Sequence, residues 1–151
     1  MICIRPVSKI GGTLLCLGLL VVLLAACGGG RSAPTQATAT PPSFQTTLTT
    51  SDGMFQIQFT VTPNHLGLNT FTVNVADANS GKPATHLHVQ LSAIMLDMAM
   101  GTDLLDLPSA GNGHYSAQGA LSMAGNWEIH LLLRTPDATL HEAQVHLHTP
   151  S

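Results

Sequence analysis

The sequence predicts an all-β fold: an immunoglobulin-like antiparallel β-sandwich of about seven strands, preceded by a signal peptide and a flexible tether. Apolar and polar residues alternate over several short segments after residue 50, which is the pattern of half-buried strands. Turn-forming residues separate these segments at fairly regular intervals, and none of them has the apolar period of a helix. A small barrel is the alternative architecture for the same pattern.

Each predicted strand places apolar side chains on one face and polar side chains on the other. The segments are 54–61, 70–75, 86–91, 104–107, 115–121, 127–134 and 143–148. Turns such as Asn79-Ser80-Gly81 lie between them. We expect Trp127 to pack between the two sheets.

Residues 1–26 have the organisation of a secretory signal peptide. Arg5 and Lys9 precede an uncharged apolar run, which ends at Leu24-Ala25-Ala26-Cys27. This ending matches the lipobox of bacterial lipoproteins, so we expect Cys27 to carry a covalent diacylglycerol that anchors the chain to the cell membrane, outside the cytoplasm. A retained transmembrane anchor is the alternative, since an apolar run of about 18 residues can span a bilayer.

The mature chain has few charges and a single cysteine. Cys3 and Cys16 fall within the signal, so no disulfide can form within one mature chain. Three basic residues remain against eight acidic ones, a net charge of −5 with histidine neutral. This balance argues against nucleic acid as a partner and against binding to anionic lipid through a basic patch.

The composition divides the mature chain into two parts. Residues 27–50 are the lipidated cysteine and a stretch of Gly, Ser, Thr, Pro, Ala and Gln, which predicts a flexible linker. The mature chain of 125 residues is long enough for one apolar core and too short for two, and residues 51–151 are predicted to form this single domain.

Several short motifs resemble the YtkA-like domain, an immunoglobulin-like module of exported bacterial proteins that also occurs in copper-resistance proteins of the CopC/CopD type. The residues that carry the likeness are Pro63, Gly67-Leu68-Asn69-Thr70-Phe71, Val73, Met95 to Gly101, Gly113-His114-Tyr115 and Met123-Ala124-Gly125-Asn126-Trp127. The resemblance implies an extracytoplasmic binding module associated with copper handling and without enzymatic activity. It does not transfer a ligand set, because the methionine-rich loop here lacks histidine and carries Asp97 instead.

Methionines form the first candidate metal site. Met95, Met98 and Met100 are predicted to lie in one loop after a strand, and the resemblance places Met123 on another loop. Thioethers are soft ligands that favour Cu(I). The alternative interpretation is that these residues fill the core under the end of the sandwich.

Histidines form the second candidate site, because all eight of them follow residue 64. His86 and His88 are two residues apart in a predicted strand, as are His146 and His148, so each pair shares a face. Keeping the apolar faces of the last two strands together requires an even register, for example His130 opposite His146. With the His86 strand as the other neighbour of the His130 strand, these imidazoles would suit Cu(II) or Zn(II). Histidine as a polar residue of an exposed strand face is the alternative.

The sequence thus predicts a membrane-anchored lipoprotein that binds copper as a chaperone, scavenger or accessory module. Its expected partners are the membrane and a membrane protein of copper transport or respiratory assembly. A metal-free interaction module that docks on a membrane protein is the main alternative. Catalysis is not expected, because the sequence has no nucleophile elbow and no phosphate-binding glycine loop.

Overall fold

The computed structural model describes residues 42–98 and 101–151, and this part of the chain is built from strands alone. The nine strands are β1 (Phe44–Thr49), β2 (Phe55–Thr62), β3 (Gly67–Asp77), β4 (His88–Met95), β5 (Asp103–Leu107), β6 (Ser109–Gly111), β7 (His114–Leu121), β8 (Gly125–Arg134) and β9 (Leu140–Thr149). Within these two ranges no helix is long and apolar enough to cross a membrane. The predicted signal 1–26, Cys27 and Met100 lie outside the described residues.

The strands form two antiparallel sheets, in the orders β1-β2-β3-β7-β6 and β5-β4-β8-β9. Without β1, the first order corresponds to strands A, B, E and D of an immunoglobulin domain. The second corresponds to strands G, F and C with one further strand at its edge. The predicted immunoglobulin-like sandwich is therefore confirmed, and all seven predicted strands are present.

The core lies between the two sheets and is formed by the apolar face of each strand. Trp127 is 2% exposed, as predicted, and Tyr115 is completely buried. The Tyr115 hydroxyl donates to the carbonyl of Ala84 at 3.0 Å and accepts from the amide of Leu87 at 3.2 Å. Its polar group is thus satisfied, and the ring contributes its full apolar area to the core.

The predicted linker 27–50 is wrong in its last part, because β1 occupies Phe44–Thr49 and pairs with β2 along its whole length. Phe44 and Leu48 are half-buried and pack against the core. The ring of Phe44 meets Phe59 edge-to-face, with centroids 6.2 Å apart. Only two apolar residues mark this strand among Gln and Thr, so its period is easily mistaken for linker composition.

The outer edge of β9 is covered at both ends by polar contacts from sheet β1-β2-β3-β7-β6. Near the start of β9, the amide of Ser51 donates to the carbonyl of Glu142 at 2.8 Å. Near its end, the side-chain amide of Asn64 donates to the carbonyl of His148 at 3.1 Å. These bonds also join the two sheets at both ends of β9.

Candidate functional site

The candidate site lies on the outer face of sheet β5-β4-β8-β9. The alternation that sends Trp127 and Ile129 into the core turns Glu128 and His130 outward. On the neighbouring strand β9, His146 lies directly opposite Glu128. Opposite residues of an antiparallel pair have Cβ atoms about 5 Å apart, so these side chains can meet.

Two imidazoles meet one carboxylate at this position. The Nε2 atom of His130 lies 2.6 Å from Oε1 of Glu128, and the Nε2 atom of His146 lies 3.3 Å from Oε2. Glu128 and His130 are partly shielded, with side chains 24% and 33% exposed, whereas His146 is 69% exposed. We call Glu128, His130 and His146 the histidine–glutamate cluster.

The hydrogen bond from His130 lowers the pKa of Glu128 below its ordinary value, and the bond from His146 lowers it further. Partial burial opposes this effect. The carboxylate therefore stays ionised to a lower pH than an ordinary glutamate. A surface pocket of about 220 Å³ adjoins the cluster, lined by His130, Thr49, Ser51, Glu142, Ala143 and Gln144.

The predicted facing of His130 and His146 is wrong by two residues, although the even register is confirmed. His130 lies opposite Gln144. The hairpin closes one residue earlier than expected, on Arg134 opposite Leu140, because the amide of Thr135 donates to the carbonyl of Thr139 at 3.0 Å. The two imidazoles are consequently diagonal neighbours with Glu128 between them.

The predicted pairing of His86 with His88 on one strand face is also wrong. Strand β4 begins at His88, and His86 precedes it with a left-handed φ of 63°. β4 is the neighbour of β8, as predicted, but His88 lies opposite Arg134. Its Nε2 atom is 3.5 Å from Oδ1 of Asp106, so His88 belongs to a separate exposed pair.

His148 belongs to a second small network beside the cluster. Its Nδ1 atom lies 3.1 Å from Oδ1 of Asn126, the residue opposite it on β8. The backbone amide of Asn126 donates to Asp97 at 2.7 Å, and its side-chain amide donates to the same carboxylate at 3.2 Å. These two bonds, followed by the nearby His148, lower the pKa of Asp97 below its ordinary value.

The predicted methionine site is divided between core and surface. Met95 is the last residue of β4 rather than a loop residue, and it is 4% exposed against the core. Met98 is 52% exposed in the following loop, and Met123 is partly buried at the β7–β8 connection. The alternation of β4 continues to its last residue, so the side chain of Met95 faces the core. In the register of β4 with β8, Met95 lies opposite Trp127.

His141 is a buried histidine that its position beside a predicted turn did not indicate. It is 6% exposed, and its Nδ1 atom lies 2.5 Å from Oδ2 of Asp52. Its ring meets Phe55 edge-to-face, with centroids 4.8 Å apart. The sequence does indicate this burial. His141 lies an even number of residues from the apolar Ala143 and Leu147, so all three face the same side of β9.

Within residues 42–98 and 101–151, no three His, Cys, Asp or Glu side chains surround a common metal position. In the histidine–glutamate cluster both imidazoles are instead hydrogen-bonded to the carboxylate of Glu128. They nevertheless provide two nitrogen donors and one carboxylate within reach of each other. A metal ion at this point requires the side chain of Glu128 to turn and each imidazole to carry its proton on Nδ1 instead of Nε2.

Residues 47–131 match the family model described as YtkA-like. This is more than half of the chain. The chain belongs to the YtkA-like family. The matched range carries Glu128 and His130, whereas β9 with His146 lies beyond it. No curated protein matches the chain. Membership of the YtkA-like family is consistent with the β-sandwich and indicates an extracytoplasmic module.

Proposed function

We propose that this YtkA-like protein is a membrane-anchored lipoprotein that binds copper outside the cytoplasm, as a chaperone, scavenger or accessory module. The observation that carries the proposal is the convergence of two imidazoles on the carboxylate of Glu128. A membrane protein of copper transport or respiratory assembly is the partner that such an accessory would serve. The anchor is the diacylglycerol expected on Cys27.

The chemistry of the histidine–glutamate cluster suits Cu(II) better than Cu(I). Imidazole nitrogens and a carboxylate oxygen are borderline to hard donors, which Cu(II) binds more strongly than the other divalent ions of the first transition row. Both Nε2 atoms face Glu128 now, so each donates its proton to the carboxylate. An ion needs each imidazole to be neutral with its proton on Nδ1, and imidazoles become protonated in acid, so copper affinity falls as the pH is lowered.

The exposed position of the cluster suits exchange rather than permanent storage. His146 is largely open to solvent, and His130 borders a surface pocket. A partner can therefore approach the ion without opening the core. Thioethers provide a second, softer donor set for Cu(I). Among the described members of that set, Met98 is exposed, whereas Met95 is buried in the core and Met123 is partly buried.

Metal titration of the lipidated full chain in detergent tests the proposal. We expect stoichiometric Cu(II) binding that is weakened at least about tenfold by His130→Ala or His146→Ala, which equals about 1.4 kcal/mol. Glu128→Gln should weaken it as well. His114→Ala is the matched control, because His114 is hydrogen-bonded to Asn74 at 2.7 Å on the other sheet.

An anaerobic Cu(I) titration separates the two donor sets. Met98→Leu should lower Cu(I) affinity, whereas Met54→Leu, an exposed methionine at the β1–β2 turn, should not. Cu(II) affinity equal in the His130→Ala, His146→Ala and His114→Ala variants would contradict a site at the histidine–glutamate cluster. Absence of binding for both oxidation states would favour the metal-free interaction module.

A further inference from the structure

The two ends of the sandwich differ in their surface. At one end, which we call the entry end, the chain enters the domain at Phe44, opposite Val61 of β2. The β7–β8 connection and the start of β3 at Gly67 also lie there, since Gly67 pairs with Leu121. β9 ends there at Thr149, which pairs with Gly125.

Exposed apolar side chains gather at the entry end. Seven large apolar side chains in the described ranges are exposed, and five of them belong to this end. These are Leu66 (52%), Leu68 (59%), Leu96 (48%), Met98 (52%) and Leu104 (64%). Met54 (44%) and Leu140 (41%) lie at the opposite end. Exposed apolar residues grouped on one surface are typical of a membrane or protein contact.

The basic residues lie at the other end of the sandwich. Lys82 and Arg134, the two Lys and Arg of the described residues, both lie at the end away from Phe44. At the entry end, the carboxylate of Asp97 is occupied by three hydrogen bonds from Asn126. This end therefore carries exposed apolar side chains and, among the described residues, no Lys or Arg that could form a cationic patch for anionic lipid. Its side-chain carboxylates are Asp97 and the exposed Asp103.

We propose that the entry end docks on the bilayer that holds the lipid anchor, with Leu66 and Met98 among the side chains that enter the interface. This inference rests on the proposed anchoring of Cys27. From Cys27 to Phe44 there are roughly 17 residues, which span at most about 60 Å even when fully extended. The anchor therefore confines the entry end, where the tether joins the domain, to within about 60 Å of the membrane, so that weak apolar contacts act at high effective concentration.

The surface of the entry end is suited to binding neutral phospholipid. Binding through basic residues depends on anionic lipid and is screened by salt, but the entry end offers no Lys or Arg among the described residues. Docking through leucine and methionine should therefore occur on zwitterionic lipid and persist at high salt. A protein partner would instead require its own complementary surface.

Environment-sensitive fluorescence tests this docking. The mature chain keeps only Cys27, so a second cysteine introduced by Leu66→Cys or Met98→Cys can be labelled uniquely with a nitrobenzoxadiazole dye. The lipidated proteins are reconstituted into phosphatidylcholine vesicles, with and without doxyl-labelled lipid. Met54→Cys and Leu140→Cys are matched controls of similar exposure at the opposite end.

We expect a blue shift of the emission and quenching by doxyl lipid at Leu66→Cys and Met98→Cys, unchanged in 1 M salt. The two controls should show neither effect. Vesicle association without quenching at the entry end would overturn the inference while leaving the anchor intact. Quenching absent in pure lipid, but cross-linking to a membrane protein at the same positions in native membranes, would overturn it in favour of a protein partner. Failure to associate with vesicles at all would instead refute the anchoring of Cys27.

Discussion

Asp52 holds the β1–β2 turn in place through several bonds to one carboxylate. The hydroxyl of Thr50 donates to it at 2.7 Å, and the amide of Met54 donates at 3.2 Å. The buried imidazole of His141 meets its second oxygen. These bonds, with that from Thr50 as the largest cause, lower the pKa of Asp52 from 3.8 to about 2.

A lowered carboxylate pKa ties the thermal stability of the domain to pH. The contribution of Asp52 is fully present above pH 3.8 and is lost as the pH falls through about 2. We expect Asp52→Asn to lower the melting temperature at pH 7, and the difference from wild type to vanish near pH 2. Circular dichroism melts from pH 7 to pH 2 measure this, with the exposed Asp103→Asn as control. A constant difference across this range would exclude ionisation of Asp52 as the cause.

At the scale of single strands, alternation predicted well wherever apolar residues recur at every second position. All seven predicted strands have buried and exposed faces as expected. β6 was missed because its three residues are all exposed, so no apolar face marks it. Hydrogen bonding within the β8–β9 turn fixes the register, and strand composition alone did not reveal that turn geometry.

The histidine–glutamate cluster was only partly predictable for the same reason. Periodicity correctly placed Glu128, His130 and His146 on one outer face. The pairing of particular side chains depends on where the hairpin closes, and a shift of two residues preserves every face while changing every partner. The burial of His141 is indicated by its spacing, because it lies an even number of residues from the buried apolar residues of β9 and so faces the same side.

Strand β1 should contribute measurably to stability, although its composition resembles a linker. A chain truncated to begin at Ser51 loses the half-buried Phe44 and Leu48 and the whole β1–β2 pairing. We expect its free energy of unfolding to fall by about 2–4 kcal/mol. Urea unfolding of both forms measures this. A chain that begins at Pro42 is the control and should retain the stability of the mature protein. Equal stability of the two truncated forms would mean that β1 adds nothing to the core.

At the scale of the whole molecule, the proposed function depends on the covalent lipid. We expect Cys27→Ser to abolish lipid attachment, so that the protein leaves the membrane fraction and mass spectrometry detects no diacylglycerol. Asp97→Asn, which leaves Cys27 unchanged, should remain in the membrane fraction. Retention of Cys27→Ser in the membrane after washing with high salt and carbonate would favour an uncleaved transmembrane anchor instead.

The hydrogen bonds at the two ends of the outer β9 edge also bear on how the domain behaves at high local concentration. A ten-residue strand with a free edge is a template onto which a strand of another copy can add, and this addition leads to aggregation. Ser51 and Asn64 already occupy carbonyls near the two ends of this edge. The open backbone groups of this edge are therefore confined to the middle of β9, which shortens the stretch onto which a strand of another copy can add.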